Sequence, residues 1–158
     1  MCIRDRAYTG RMDAADYPIR WPSRVRYAEC DPQGVAFNAH YLSWFDCTLN
    51  EAFRDSGIDW VAQMRESGCD VQLVKSLVEY RRPLRFDEAF VGAAGVARLG
   101  RSSIQWRLAL WGASPADLRA TGEIVWVYAD LAAGRAQALP DWLREQLRPL
   151  AGAGAGET

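Results

Sequence analysis

The spacing of apolar residues changes once along this chain, and that change limits the folds open to it. From Ala39 to Ser56, the residues Tyr41, Leu42, Phe45, Leu49, Ala52 and Phe53 recur at intervals of three and four. Such intervals place one broad apolar stripe along a helix. Asn38 stands before it as a favoured N-cap and Gly57 after it as a favoured stop. A second, short helix is predicted from Asp59 to Glu66. Beyond it the interval falls to two. Val71–Tyr80, Ala89–Leu99, Ser102–Trp111 and Thr121–Ala129 read as strands, with Ala89–Leu99 the weakest because Gly92 and Gly95 loosen it. Ile104, Trp106, Leu108 and Leu110 share one strand face, whereas Thr121–Ala129 is apolar on both faces, as a central strand is. Arg24–Glu29 alternates and reads as a strand ahead of the long helix, and a last short helix follows Pro140. One helix packed across an antiparallel sheet, an α+β arrangement, is the economical solution. A single such sheet leaves one face and two edges uncovered, and seven Trp residues must be buried, so a dimer is expected.

The 158 residues amount to one domain. Residues 1–18 carry no clear period and read as a disordered or non-native extension; 151–158, "AGAGAGET", reads as a disordered low-complexity tail. The folded unit is then 19–150. A formal net charge of −1 lacks the basic excess of a nucleic-acid binder. The basic residues include one lysine, Lys75. An arginine-rich genome accounts for that, and so does phosphate recognition by guanidinium forks. Cys2, Cys30, Cys47 and Cys69 have no C-x-x-C spacing, and His40 is the only imidazole, so no zinc site is expected and the cysteines read as free thiols. No apolar signal-peptide core and no membrane-length run is present, which leads to the expectation of a cytoplasmic protein that does not enter the membrane.

The stretch "AECDPQGVAFNAHY" places one acid, Asp31, at a turn that leads into an apolar segment and then into the long helix. Asp-Pro-x-Gly is a common turn, and the acid could serve only to fix it. Asn38 could be only a cap, and His40 only a helix-surface residue. The other reading is chemical. The start of a helix leaves unpaired N–H groups and partial positive charge. An acid held nearby, in a partly apolar wall, can attack a carbonyl or activate water while those N–H groups stabilise an oxyanion. Glu29 would share Asp31's face only if the preceding strand reaches that far.

"YAECDPQGVAFNAHYLSWFD", Tyr27 to Asp46, resembles the signature of the 4-hydroxybenzoyl-CoA thioesterase family of hotdog-fold proteins. "VEYRRPLRFDE" (Val78–Glu88) and "LGRSSIQWRL" (Leu99–Leu108) are similar to that family's later segments and come in the right order. The resemblance implies a five-stranded antiparallel sheet wrapped around one long helix, and an active site between two subunits of a homodimer or homotetramer. It implies hydrolysis of an acyl-CoA thioester without a cofactor. Asp31 falls on the catalytic acid, Gly34 on the glycine of Asp-x-x-Gly, the main-chain N–H of Asn38 on the oxyanion donor and Tyr41 on the helix tyrosine. Arg101 and Ser102 fall where family members can contact the nucleotide end of CoA. The chain departs from one branch of the family, which has His where Asn38 stands. A non-catalytic acyl-CoA or acyl-carrier binding protein on the same fold is the competing reading.

Overall fold

The computed structural model describes residues 17–157. In chain order the elements are β1 (Ile19–Arg24), α1 (Ala39–Asp55), α2 (Trp60–Ser67), β2 (Cys69–Tyr80), β3 (Ala89–Leu99), β4 (Ser103–Trp111), β5 (Leu118–Asp130), β6 (Arg135–Ala136), α3 (Asp141–Leu147) and β7 (Ala151–Glu157). Five strands form one antiparallel sheet in the order β1-β3-β4-β5-β2; the short β6 adds to β5, and β7 runs parallel to β3. This is the hotdog arrangement, with α1 against the inner face of the sheet.

Of the stripe on α1, Tyr41, Phe45, Leu49, Ala52 and Phe53 are buried and Leu42 is half-buried, and Trp44 and Thr48, outside the expected stripe, are buried with them. The helix stops where Gly57 takes φ +72°; Gly57 N–H then reaches Arg54 O and Ile58 N–H reaches Phe53 O, both at 3.1 Å. This is the pair of bonds by which a left-handed glycine closes a helix end. Opposite α1, the alternate residues Ile104, Trp106, Leu108 and Leu110 of β4 are wholly buried. Asp59 caps α2 through its side chain, which accepts the Ala62 N–H at 3.0 Å.

α1 lies unusually close to the sheet at two points. A Cβ on Gly122 of β5 would stand 2.4 Å from Phe45 Cε2, and one on Gly92 of β3 would stand 2.2 Å from Thr48 Oγ1. Both helix residues are fully buried. Thr48 is admitted to an apolar contact because its hydroxyl donates to Trp44 O at 2.8 Å within the helix. Gly92 therefore does not loosen β3, as its strand propensity alone implies; it is the notch into which the helix settles.

Three sequence expectations are corrected. The first strand is Ile19–Arg24, not Arg24–Glu29, and Tyr27–Glu29 is a single 3-10 turn. Pro22 obscured the strand, yet an edge strand tolerates proline, and Ile19 and Trp21 alternate inward from the solvent-facing Arg20 and Pro22. The tail expected to be disordered forms β7 through Glu157. β1 pairs with Ala89–Ala94 of β3, and β7 takes up Val96–Leu99 of the same edge. The open main-chain groups of that edge are what the tail answers. Residues 1–16 of the expected N-terminal extension lie outside the described residues, as does Cys2. Tyr17 is already part of the fold, packed edge-on against Trp111 at 5.1 Å. Cys30, Cys47 and Cys69 are free thiols, and no described helix is long and apolar enough to cross a membrane.

The sheet has two ends. β1 is short and carries Pro22. β2 is twelve residues long, lacks proline, and exposes Leu73, Val74 and Leu77.

A methyl group at position 122 cannot be placed without moving Phe45. Gly122→Ala is expected to destabilise the fold by about 1–3 kcal/mol, the range for overpacking. In a Phe45→Leu background the added cost should shrink, because the ring that collides is gone. Urea unfolding of the four proteins checks this; equal costs in both backgrounds would refute the notch.

Candidate active site at the start of the long helix

The segment between β1 and α1 is a narrow loop pinned by its main chain. Phe37 N–H donates to Glu29 O at 2.8 Å, Cys30 bridges Ala36, Asp31 N–H donates to Val35 O at 2.9 Å, and Gly34 N–H returns to Asp31 O at 2.9 Å. Gly34 sits at φ +75°, which only glycine adopts readily. The half-buried Asp31 carboxylate accepts the Gln33 N–H on Oδ1 at 2.8 Å. Its second oxygen, Oδ2, has no hydrogen-bond partner among the described residues. The turn role of Asp31 thus occupies one oxygen only.

The base of the loop is tied to α1 by Glu29. Its carboxylate accepts Trp44 Nε1–H on Oε1 at 2.9 Å and Arg26 N–H on Oε2 at 2.7 Å. Glu29 lies in the 3-10 turn rather than on a strand, so it is not a second acid beside Asp31. His40 packs between Phe37 and Trp44, ring to ring.

The first turn of α1 is locked from below. Ala36 N–H donates to Leu84 O at 2.8 Å, and Leu84 N–H donates to the Tyr41 hydroxyl at 3.0 Å. Asn38 O accepts both Tyr41 N–H at 3.3 Å and Tyr80 O–H at 3.1 Å. Asn38 occupies the N-cap position, but its side chain makes no cap bond. At φ −55°, ψ −32° its backbone is already helical, whereas a capping side chain needs an extended backbone to reach back over the turn. His40 N–H bonds Phe37 O, while the N–H groups of Asn38 and Ala39 have no acceptor among the described residues. They carry the positive end of the helix dipole on the side of the Asp31 loop.

Tyr41 is 2% exposed. Burial raises its hydroxyl above the usual value of 10.0, and the Leu84 N–H offsets this only in part. With Ala36, Asn38, Tyr80, Arg81 and Arg82 it lines a cleft of about 200 Å³. Tyr80 and Leu84 were not singled out by sequence, although both lie in the Val78–Glu88 segment. Their signal is only a tyrosine and an apolar residue flanking Arg81-Arg82-Pro83.

Within one chain the candidate residues form two groups. Asp31, Gly34, Asn38 and Tyr41 gather near the start of β3. Arg101 and Ser102 sit in the turn after its end, about 30 Å away at the rise of a strand.

The chain matches the model of the thioesterase-like superfamily over residues 25–147, and it belongs to that family. The acyl-CoA thioester hydrolase YbgC of Escherichia coli is 34% identical over 70 residues, 44% of this chain and 52% of its own length. The matched stretch therefore takes in about half of that curated relative. Among solved structures, a protein of Pseudomonas aeruginosa superposes with a TM-score of 0.76 at 28% identity, covering 87% of this chain and 94% of its own. A 1,4-dihydroxy-2-naphthoyl-CoA thioesterase of Synechocystis superposes with a TM-score of 0.78 at 14% identity, covering 84% and 96%, and shares the fold.

Two substitutions separate the anchors from the apparent cap. Asn38→Ala is expected to change stability by less than about 0.5 kcal/mol, as at a surface position. Tyr41→Phe leaves the buried Leu84 N–H without its acceptor and should cost about 1–3 kcal/mol. Because folding raises the Tyr41 pKa, its contribution is complete below about pH 10 and is lost as pH climbs through the folded value. Denaturation measured from pH 8 upward should show part of the alkaline loss missing in Tyr41→Phe.

Proposed function

We propose that this protein hydrolyses acyl-CoA thioesters to a carboxylic acid and free CoA. The observation that carries the reading is the pairing of one uncommitted carboxylate oxygen, Asp31 Oδ2, with two main-chain N–H groups left open at the start of α1. Family membership and the names of the relatives support the same chemistry. In this reading the Asn38 N–H, with Ala39 N–H beside it, binds the thioester oxygen as negative charge develops there. Asp31 either attacks the carbonyl carbon, giving a mixed anhydride that water then opens, or takes a proton from the attacking water. In both routes the C–S bond breaks and the CoA thiolate leaves and is protonated. Gly34 gives the loop its bend. Tyr41 holds the floor of the site through Leu84.

Arg101 and Ser102 meet the nucleotide end of CoA. Since they stand far from Asp31 in one chain, the site is shared: Asp31 comes from one subunit and the Arg101 turn from its partner in a homodimer, alone or paired into a tetramer. The open β2 edge, with Leu73, Val74 and Leu77 exposed, supports this assembly.

Asp31→Asn keeps an acceptor for the Gln33 N–H and removes only the charge. It should fold as the parent does and lower kcat by at least about 10²-fold, the lower range for losing an acid–base group. Release of free CoA from a mixed acyl-CoA panel measures it. A variant as fast as the parent rules Asp31 out, and a parent that binds CoA thioesters without cleaving them favours the binding-protein reading.

Sharing of the site has its own test. Asp31→Asn and Arg101→Ala proteins, each weak alone, are unfolded together and refolded. If each site draws one residue from each subunit, half of the sites in the mixed dimers escape both defects, and roughly a quarter of parental activity should return. No recovery, or an active monomer by light scattering, overturns the shared site.

A further inference from the structure

The Gly100–Ser102 turn is held from behind by the last helix. Leu143 and Leu147 are fully buried and fix α3 against the sheet. From α3, Arg144 Nη2 donates to Gly100 O at 2.6 Å and to Arg101 O at 3.0 Å. Leu139 N–H donates to the same Arg101 carbonyl at 2.8 Å, and Gly100 N–H closes the turn onto Ser103 O at 2.9 Å. The described residues contain no cis peptide. In a trans peptide the N–H points opposite to the C=O it is bonded through. With the carbonyls of Gly100 and Arg101 turned toward α3, the N–H groups of Arg101 and Ser102 face away from it. Neither has an acceptor among the described residues, and the exposed Arg101 guanidinium forms no ion pair among them. Successive N–H groups on one side of a turn make an anion-binding concavity, and a free guanidinium beside it strengthens the attraction.

We propose that Arg144 is the positioning residue of this turn. It never touches the ligand; by fastening two consecutive carbonyls it keeps two consecutive N–H groups, with Arg101, aimed outward at the phosphates of a nucleotide. The proposal rests on the acyl-CoA reading for the identity of the nucleotide, and it assigns α3 a task in substrate affinity although α3 lies at the pole of the sheet opposite Asp31. Lysine, which also donates to carbonyls, should serve in part; methionine, of similar length and without a donor, should not.

The experiment measures binding of coenzyme A and of pantetheine, which lacks the nucleotide, by calorimetry, alongside thioester hydrolysis. Arg144→Met should weaken coenzyme A by about tenfold, the order of one hydrogen bond to a charged group. It should leave pantetheine affinity unchanged, raise KM for the acyl-CoA and leave kcat alone. Arg144→Lys should recover part of the loss. Arg101→Ala should also weaken coenzyme A, and the double variant should lose less than the product of the two, because one change acts through the other. Unchanged coenzyme A affinity in Arg144→Met overturns the proposal. So does a loss shared equally by pantetheine and kcat, which marks a merely structural role; if Arg144→Met does not fold, the same comparisons on Arg144→Lys decide. A parent that binds coenzyme A but cleaves no thioester sinks the hydrolase reading and leaves the role of Arg144 standing. A parent that binds no coenzyme A sinks both.

Discussion

Everything at the site depends on how near α1 can come to the sheet. Gly92 and Gly122 lie on β3 and β5, with β4 between them, and each lacks the one carbon that would hold the helix off. Phe45 and Thr48 drop into these two gaps. Two contacts on separate strands fix both the height and the direction of the helix axis, which a single contact could not do. Close packing inside a protein resists small displacements, so the helix start is aimed by the sheet and not by the loop before it.

That aim has to be converted into the placement of an acid. The conversion is made by main-chain hydrogen bonds together with the side chains of Glu29, Tyr41 and Tyr80. Leu84 receives the chain at Ala36 and is received by Tyr41, so the entry to α1 is stitched to the segment after β2. Glu29 reaches across to Trp44 and fixes the other side of the loop. Between these stitches the ladder from Phe37–Glu29 to Val35–Asp31 leaves little freedom. The acid's loop leads directly into a helix end whose first N–H groups, at Asn38 and Ala39, have no acceptor among the described residues. For the proposed thioester hydrolysis, a charge and dipoles fixed in advance would not have to be rearranged as the reaction proceeds.

Much of this was legible in the amino-acid order. The stripe on α1, the switch to period two and the bounds of β3 follow from apolar spacing, which burial enforces directly. The Asp31 loop was legible as a motif. What was not legible depends on partners distant in sequence. Gly92 looks like a defect until Thr48 is known to lie over it. Asn38 looks like a cap until its backbone angles are known, because Tyr80 and Leu84 have already settled the start of the helix. β1 is hidden by Pro22, whose lack of an N–H costs nothing on an outer strand. The tail becomes β7 because β1 is too short to cover the whole of β3, a fact about another strand altogether. Arg144 reads as one more surface arginine until the carbonyls of Gly100 and Arg101 are found in its reach.

The two ends of the sheet are not equivalent, and the difference bears on how copies of the chain can accumulate. At the β1 end, a short strand with Pro22 lacks one of the donors that an added strand would require, while β7 already occupies the remainder of the β3 edge. At the β2 end, twelve residues without proline form the outer strand, with a register irregularity between Leu73 and Lys75. The β2 end is therefore the longer proline-free strand edge, and a second copy presenting the same end could pair with it. Pairing through that end alone would be self-terminating, because each copy would spend its β2 edge on the other.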